Sequence, residues 1–258
     1  MSDFRLFRQT VNRNRKKVVD FISANYVQRV NGHSKDFKGP DICFFCGSGA
    51  NMTREHVVPR WAYGKDPGSW FTTSINGQRQ PYEKSTLPCC KVCNTVVLNE
   101  LEKAVNSIFT GRDLKINPII DEESELVIAW LELIDYKFQA IGVTRQFKAH
   151  KASGYNSFLS DYPISILDPS FEYSPAKVLQ TLRASMRQMG VKSKASKINS
   201  LVVFKTYNTS FYFFNKMNDF IFLEMPHKEV ALFYFYTREF ETVEAAHDAA
   251  MGIIGENY

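Results

Sequence analysis

The sequence predicts an α+β protein: an N-terminal helix, a core held by a four-cysteine zinc site, and a C-terminal α+β half with an antiparallel meander. Three observations predict it. All five cysteines fall between Cys43 and Cys93, four of them in two Cys-x-x-Cys pairs. Apolar residues recur at helical spacing in several long stretches. After Ser200 the period shortens, and aromatic and β-branched runs alternate with turn residues. With 258 residues, 44% of them hydrophobic, the chain can bury a substantial core as one large domain or two modest ones. Its punctuation divides it into a basic helical segment (1–38), a cysteine-bearing domain (39–112) and a C-terminal domain (113–258) concerned with targeting or oligomerisation.

The first thirty residues read as a basic helix. Arg5, Arg8, Arg13, Arg15, Lys16 and Lys17 are answered only by Asp3 before Asp20, while Val18, Phe21, Ile22, Tyr26 and Val27 form an apolar stripe. The basic side is either a solvated face or an arm that contacts phosphate. A polar passage from Asn31 to Asp36, then Gly39-Pro40, leads into the first cysteine pair.

Cys43-x-x-Cys46 and Cys90-x-x-Cys93 can present four thiolates to one tetrahedral Zn²⁺, which leaves no position open for water and makes the site structural. Cys89 adjoins Cys90, and the two-residue spacing to Cys93 favours Cys90 as the ligand. No apolar stretch follows the charges of the first residues, and none approaches the ~18 residues of a membrane span. The expected setting is therefore intracellular, where such pairs bind metal rather than form disulfides.

Inside this frame lies Thr53-Arg54-Glu55-His56-Val57-Val58-Pro59, and Asn94 directly follows the last cysteine. Glu55 and Asn94 offer oxygen ligands to a hard cation such as Mg²⁺ or Mn²⁺. A neutral imidazole at His56 can take a proton from water, because its ordinary pKa lies near neutrality.

Cys43-x-x-Cys46, Glu55-His56-x-x-Pro59 and Cys90-x-x-Cys93-Asn94 together resemble the HNH (ββα-metal) endonucleases, in the zinc-stapled branch that includes recombination endonuclease VII. The resemblance spans about residues 41–104 and implies a ββα-metal core. It implies that Glu55 and Asn94 hold the catalytic divalent ion, that His56 activates water, and that the products carry a 5′-phosphate and a 3′-hydroxyl. The family's Asn that orients the histidine is replaced here by Ser85 or Thr86. Asn99 and Glu102 match the polar residue and Glu that follow the knuckle. Glu102, eight residues after Asn94, either reaches the metal directly or through water, or pairs with Arg54 or Lys103. Arg60, Lys65, Arg79 and Lys84, in and beside the insertion Trp61–Lys84, are candidates to line a substrate groove. Proteins with such a core and an unrelated C-terminal half occur in bacteria and phage, defence nucleases among them.

The remaining elements follow in order. Val96, Val97, Leu101, Ala104, Val105 and Ile108 mark a helix ended by Gly111 and Pro118, and Glu123–Ile141 a second helix whose apolar face belongs to the core. Tyr162–Tyr173 reads as loop or short strand. Pro175 opens a helix over Ala176–Met189 that Gly190 closes. Leu201–Phe204, Phe211–Phe214, Phe220–Leu223 and Val230–Tyr234 read as the strands of the meander, and Thr242–Ile254 as a final helix.

The net charge is +5, and between Glu172 and Asp219 there is no acid but eight lysines and arginines, among them Lys192, Lys194 and Lys197. With Arg13, Arg15 and Lys16 these are the expected nucleic-acid contacts. The expected partner is DNA, with RNA as the alternative polymer, since the metal chemistry is nearly indifferent to the sugar. No membrane partner is expected, and the C-terminal half is a candidate surface for a second copy or a partner protein. A non-catalytic zinc-stabilised nucleic-acid-binding module is the competing reading. Aromatic residues between Phe204 and Tyr236 either stack bases or form the inner face of the sheet. His33, His150, His227 and His247 fit surface or capping roles.

Overall fold

The computed structural model describes residues 2–27, 41–64, 70–72, 79–111, 114, 119–146, 175–190, 200–216 and 219–257. Apolar residues spaced by about one helical turn wind Ser2–Ile22 into helix α1, which buries Phe7, Val11, Val18, Val19 and Ile22. The helix widens into a π turn at Ser23–Val27.

Strand β1 (Met52–His56) pairs antiparallel with β4 (Thr86–Cys90), in a register that sets Met52 opposite Cys90 and His56 opposite Thr86. Between them lie a one-turn helix α2 (Arg60–Tyr63) and a small hairpin of β2 (Trp70–Thr72) and β3 (Arg79–Pro81). A π turn at Val92–Leu98 then leads into α3 (Asn99–Phe109), which buries Leu101, Val105, Ile108 and Phe109. Val97 packs against the core, but Val96, expected on the buried stripe, is 50% exposed. The wider π turn advances fewer degrees per residue than an α-helix and rotates that position outward.

Helix α4 (Asp121–Gln146) runs 26 residues and packs against α3, β4, the π turn after α1, helix α5 (Pro175–Gly190) and the C-terminal sheet. Being covered on so many sides, it buries Trp130, Leu133, Ile134 and Ile141 as expected, and also Glu132, Asp135, Tyr136 and Lys137. The polar residues are matched. Arg8 of α1 pairs with Glu132 at 3.6 Å and donates to the Met189 carbonyl at the end of α5 (3.0 Å). The Tyr236 hydroxyl donates to Asp135 (2.6 Å), and the Tyr234 hydroxyl to Glu132 (3.2 Å). Burial outweighs the nearby Arg8 and pushes the Glu132 carboxyl up to about 7.

The sheet comprises β5 (Leu201–Lys205), β6 (Tyr212–Lys216), β7 (Phe220–Met225) and β8 (Val230–Phe235), in spatial order β5-β8-β7-β6. Strands β6, β7 and β8 follow one another as a meander, but β5 crosses over to pair with β8. The order follows polarity: β7 and β8 are buried along their whole length and lie inside, while β5 and β6 end in Lys205 and Lys216 and form the edges. One face joins the main core through Ile221, Leu223, Leu232 and Tyr234. The other, with Phe220, Phe222, Phe233 and Phe235, is covered by helix α6 (Val243–Asn257) through Ala246 and Ala250. The aromatic residues of this half thus serve mainly as core, although Tyr207 on the β5–β6 connection is 83% exposed.

The main core draws on α1, both cysteine pairs, α3, α4, α5 and the sheet, so residues from all three expected segments share it. Among the described residues no helix is long and apolar enough to cross a membrane.

Candidate metal centre

Two loops bring the cysteines together. In the first, the Cys43 N–H donates to the Ser48 carbonyl (2.7 Å) and the Gly47 N–H to the Cys43 carbonyl (2.8 Å), folding the chain into a tight knuckle. Gly47 has φ +72°, a left-handed conformation that favours glycine, and the Lys17 side chain of α1 lies 3.0 Å from where a Cβ would be. The two residues between the thiols, Phe44 and Phe45, are fully buried. Phe45 packs on Phe7 and Tyr136, Phe44 on Tyr26, and the Tyr136 hydroxyl donates to the Phe44 carbonyl. The knuckle is therefore anchored in the core by the residues its motif leaves unspecified. The second loop starts at the end of β4, where the Phe44 N–H donates to the Pro88 carbonyl (3.0 Å) and joins the two knuckles.

The sulfur atoms of Cys43, Cys46, Cys90 and Cys93 all lie within 4.8 Å of one another. Those of Cys46 and Cys90 are 3.7 Å apart. A tetrahedral zinc with Zn–S bonds of about 2.3 Å needs sulfur atoms about 3.8 Å apart, so this donor set fits the ion. Hydrogen bonds from the neighbouring thiols pull the Cys43 thiol far down, while its partners Cys46 and Cys93 are pushed up. A bound cation would take the place of those shared protons. Cys89 is buried beside the four but outside the group, with its thiol directed to the Cys90 carbonyl at 3.5 Å. Cys90, separated from Cys93 by two residues in the knuckle, belongs to the group as its spacing implies.

The candidate catalytic residues lie along the hairpin next to the thiols. Asn94 donates its amide to the Arg54 carbonyl and to the Thr53 hydroxyl, each at 3.0 Å, which ties the start of the second knuckle's helix to β1. His56, at the end of β1, is half-buried and donates a ring N–H to the Glu83 carbonyl. Burial and the Arg60 guanidinium hold its pKa below the ordinary histidine value, against the pull of Glu55. The bond that orients the ring thus comes from a main-chain carbonyl two residues before Ser85. Ser85 is buried; its hydroxyl donates to the Pro81 carbonyl (2.9 Å) and its own carbonyl accepts the Val57 N–H (2.9 Å). Thr86 lies opposite His56 on β4.

Glu55 and Glu102 meet at a residue that motif reasoning missed. Lys137 of α4 is fully buried, ion-paired with Glu55, and 3.1 Å from Glu102 Oε1. Of the neighbours considered for Glu102, Lys103 pairs with Glu100 (2.9 Å) and Arg54 with Asp41 (3.6 Å). Burial raises the Glu102 pKa, against the attraction of Lys137. Burial also opposes the charge on Lys137, but the two carboxylates outweigh it and hold the ammonium well above the ordinary lysine range. The sequence marks Lys137 only as one of three polar residues, with Asp135 and Gln139, between Leu133 and Ile141.

Of the candidate nucleic-acid contacts, Arg13 is exposed, Arg15 lies 3.4 Å from Asn12, and Lys16 pairs with Asp20 at 2.5 Å. Lys192, Lys194 and Lys197 lie outside the described residues, as do Tyr162–Tyr173, Lys65, His33 and His150. Arg60 and Lys84 are exposed, and Asn99 is exposed at the start of α3. His227 donates to the Trp61 carbonyl (2.6 Å) near the end of α2, and His247 lies 3.6 Å from Asp248 on the surface of α6. Compared with known proteins, the chain matches no family, no curated protein and no solved structure.

Proposed function

We propose that this chain is a metal-dependent endonuclease of the HNH type that hydrolyses phosphodiester bonds of DNA. The observation that carries the reading is the placing of His56. Its ring lies beside the Glu83 main chain and Glu55, on a strand tied by Asn94 to the four-cysteine centre. With one ring nitrogen donating to the Glu83 carbonyl and the pKa held low, the other nitrogen is unprotonated near neutrality and can accept a proton from water. Glu55 and Asn94 would hold Mg²⁺ or Mn²⁺, Asn94 through Oδ1 because its amide nitrogen is committed to β1. Such an ion, when bound, stabilises negative charge on the reacting phosphate and the leaving oxygen. Zinc at Cys43, Cys46, Cys90 and Cys93 holds the two ends of the hairpin in register. Ser85 and Glu102 act behind these groups, Ser85 by fixing the turn that bears the Glu83 carbonyl and Glu102 through Lys137. Arg13, Arg15 and Lys16, with Lys192, Lys194 and Lys197, supply phosphate contacts.

One observation favours the second reading, a zinc-stabilised nucleic-acid-binding module without catalysis: an oxygen of Glu55 is already paired with Lys137. Plasmid DNA and a single-stranded RNA incubated with Mg²⁺ or Mn²⁺ separate the readings. The nuclease reading expects the wild type to cut DNA and His56→Ala to lose at least ~100-fold in rate. Retardation of an uncut plasmid by both proteins selects the binding module, and cutting of RNA alone changes the substrate. Because His56 acts unprotonated, the rate should climb through a pH below about 6.5 and then level off.

A further inference from the structure

We propose that Lys137 is a built-in counter-cation: its ammonium occupies a two-carboxylate cation site formed by Glu55 and Glu102, where it positions Glu55 and fills the place a second divalent ion would take. Three elements far apart in the chain build the site, with Glu55 on β1, Glu102 on α3 and Lys137 on α4. Lys137 is fully buried and Glu55 nearly so, and the ammonium reaches both carboxylates. Two carboxylates directed at one buried point repel each other, so the arrangement demands a cation or a proton there. An ammonium offers three N–H donors, and two of them face these carboxylates.

Carboxylate oxygens are also what Mg²⁺ and Mn²⁺ seek, so a divalent ion and the ammonium compete for the same atoms. Lys137, covalently present at one per chain, wins that competition at the inner side of the pair. What remains for an outside ion are the carboxylate oxygens not paired with the ammonium. The single-ion consequence rests on the nuclease reading; the cation site itself does not.

Removing the ammonium should therefore uncover a metal site. Lys137→Ala leaves both carboxylates and opens room for an ion with its waters. Mn²⁺ at about a hundredfold over its dissociation constant should raise the melting temperature of this variant by roughly 5 °C or more beyond any shift in the wild type. Electron paramagnetic resonance should count one more bound Mn²⁺ per chain than in the wild type, at equal zinc content. The double variant Lys137→Ala/Glu102→Gln, with one carboxylate left, should lose the added ion and the added shift. An equal Mn²⁺ response in wild type and Lys137→Ala would overturn the proposal. So would a Lys137→Ala protein that stays unfolded at every Mn²⁺ concentration, because the ion is expected to replace the ammonium. No readout here uses cleavage. A variant that gains Mn²⁺ in a chain that cuts nothing upholds the cation site and removes the nuclease, and the converse result does the opposite.

Discussion

The cysteine module and the C-terminal sheet both pack against α4, yet they meet the cost of ordering in different ways. The module offers a two-stranded hairpin of five-residue strands, a size that is marginal in water without added support. Its support comes from four thiols converging on one point and from two knuckle phenylalanines inserted between α1 and α4. The sheet needs no such centre. Its two inner strands are buried along their length, and both of its faces are covered by apolar side chains. A metal held by these thiols would do for about fifty residues what a layer of aromatic packing does for the sheet, and the two should then fail under different treatments.

Cys46→Ser tests the strongest form of that contrast. It should abolish zinc binding and unfold the module, and through Phe44 and Phe45 loosen the main core. Zinc stoichiometry and near-ultraviolet circular dichroism check it, and a zinc-loaded, natively folded Cys46→Ser protein would break the comparison. In the sheet, Phe233→Ala removes a fully buried ring that packs on Phe220, Phe222 and Phe235. It should cost about 3–5 kcal/mol in denaturant melts while zinc content stays at the wild-type value. Tyr136→Phe cuts the hydroxyl's bond to the Phe44 carbonyl where helix and knuckle meet. Its expected cost is about 1–3 kcal/mol, with faster zinc loss to a chelator; an unchanged chelation rate would show that α4 does not brace the knuckle. Smallest is Cys89→Ser, which should leave zinc stoichiometry intact and shift stability by about 1 kcal/mol, since Cys89 lies outside the group of four.

Legibility in the sequence followed how local the physics is. Cysteine pairs with two residues between them are a statement about one turn of chain, and the structure gathers those same four thiols. The helices from Ser2, Asp121 and Pro175 and the four late strands rest on periodicity, which short-range side-chain direction determines. Strand order was not legible, because a hydrophobic run says that Leu201–Lys205 is a strand without saying that Val230–Phe235 is its neighbour. Lys137 was hidden for the same reason: its partners stand 82 and 35 residues away, and along its own helix it is one polar residue among several. The partner of His56 was hidden more deeply, since a main-chain carbonyl carries no residue type at all.

The bond between Tyr136 and the Phe44 carbonyl spans 92 residues and sets an order of events on the ribosome. Synthesis runs from the N-terminus, so all four cysteines are in the chain once Cys93 has been added, before the first residue of α4, Asp121, is joined. A chain that took up zinc before α4 had folded would do so while Phe44 and Phe45 still lacked their roof. Metal loading and hydrophobic closure would then be separate steps in time, with the helix that supplies Tyr136 and Lys137 added after the centre it covers.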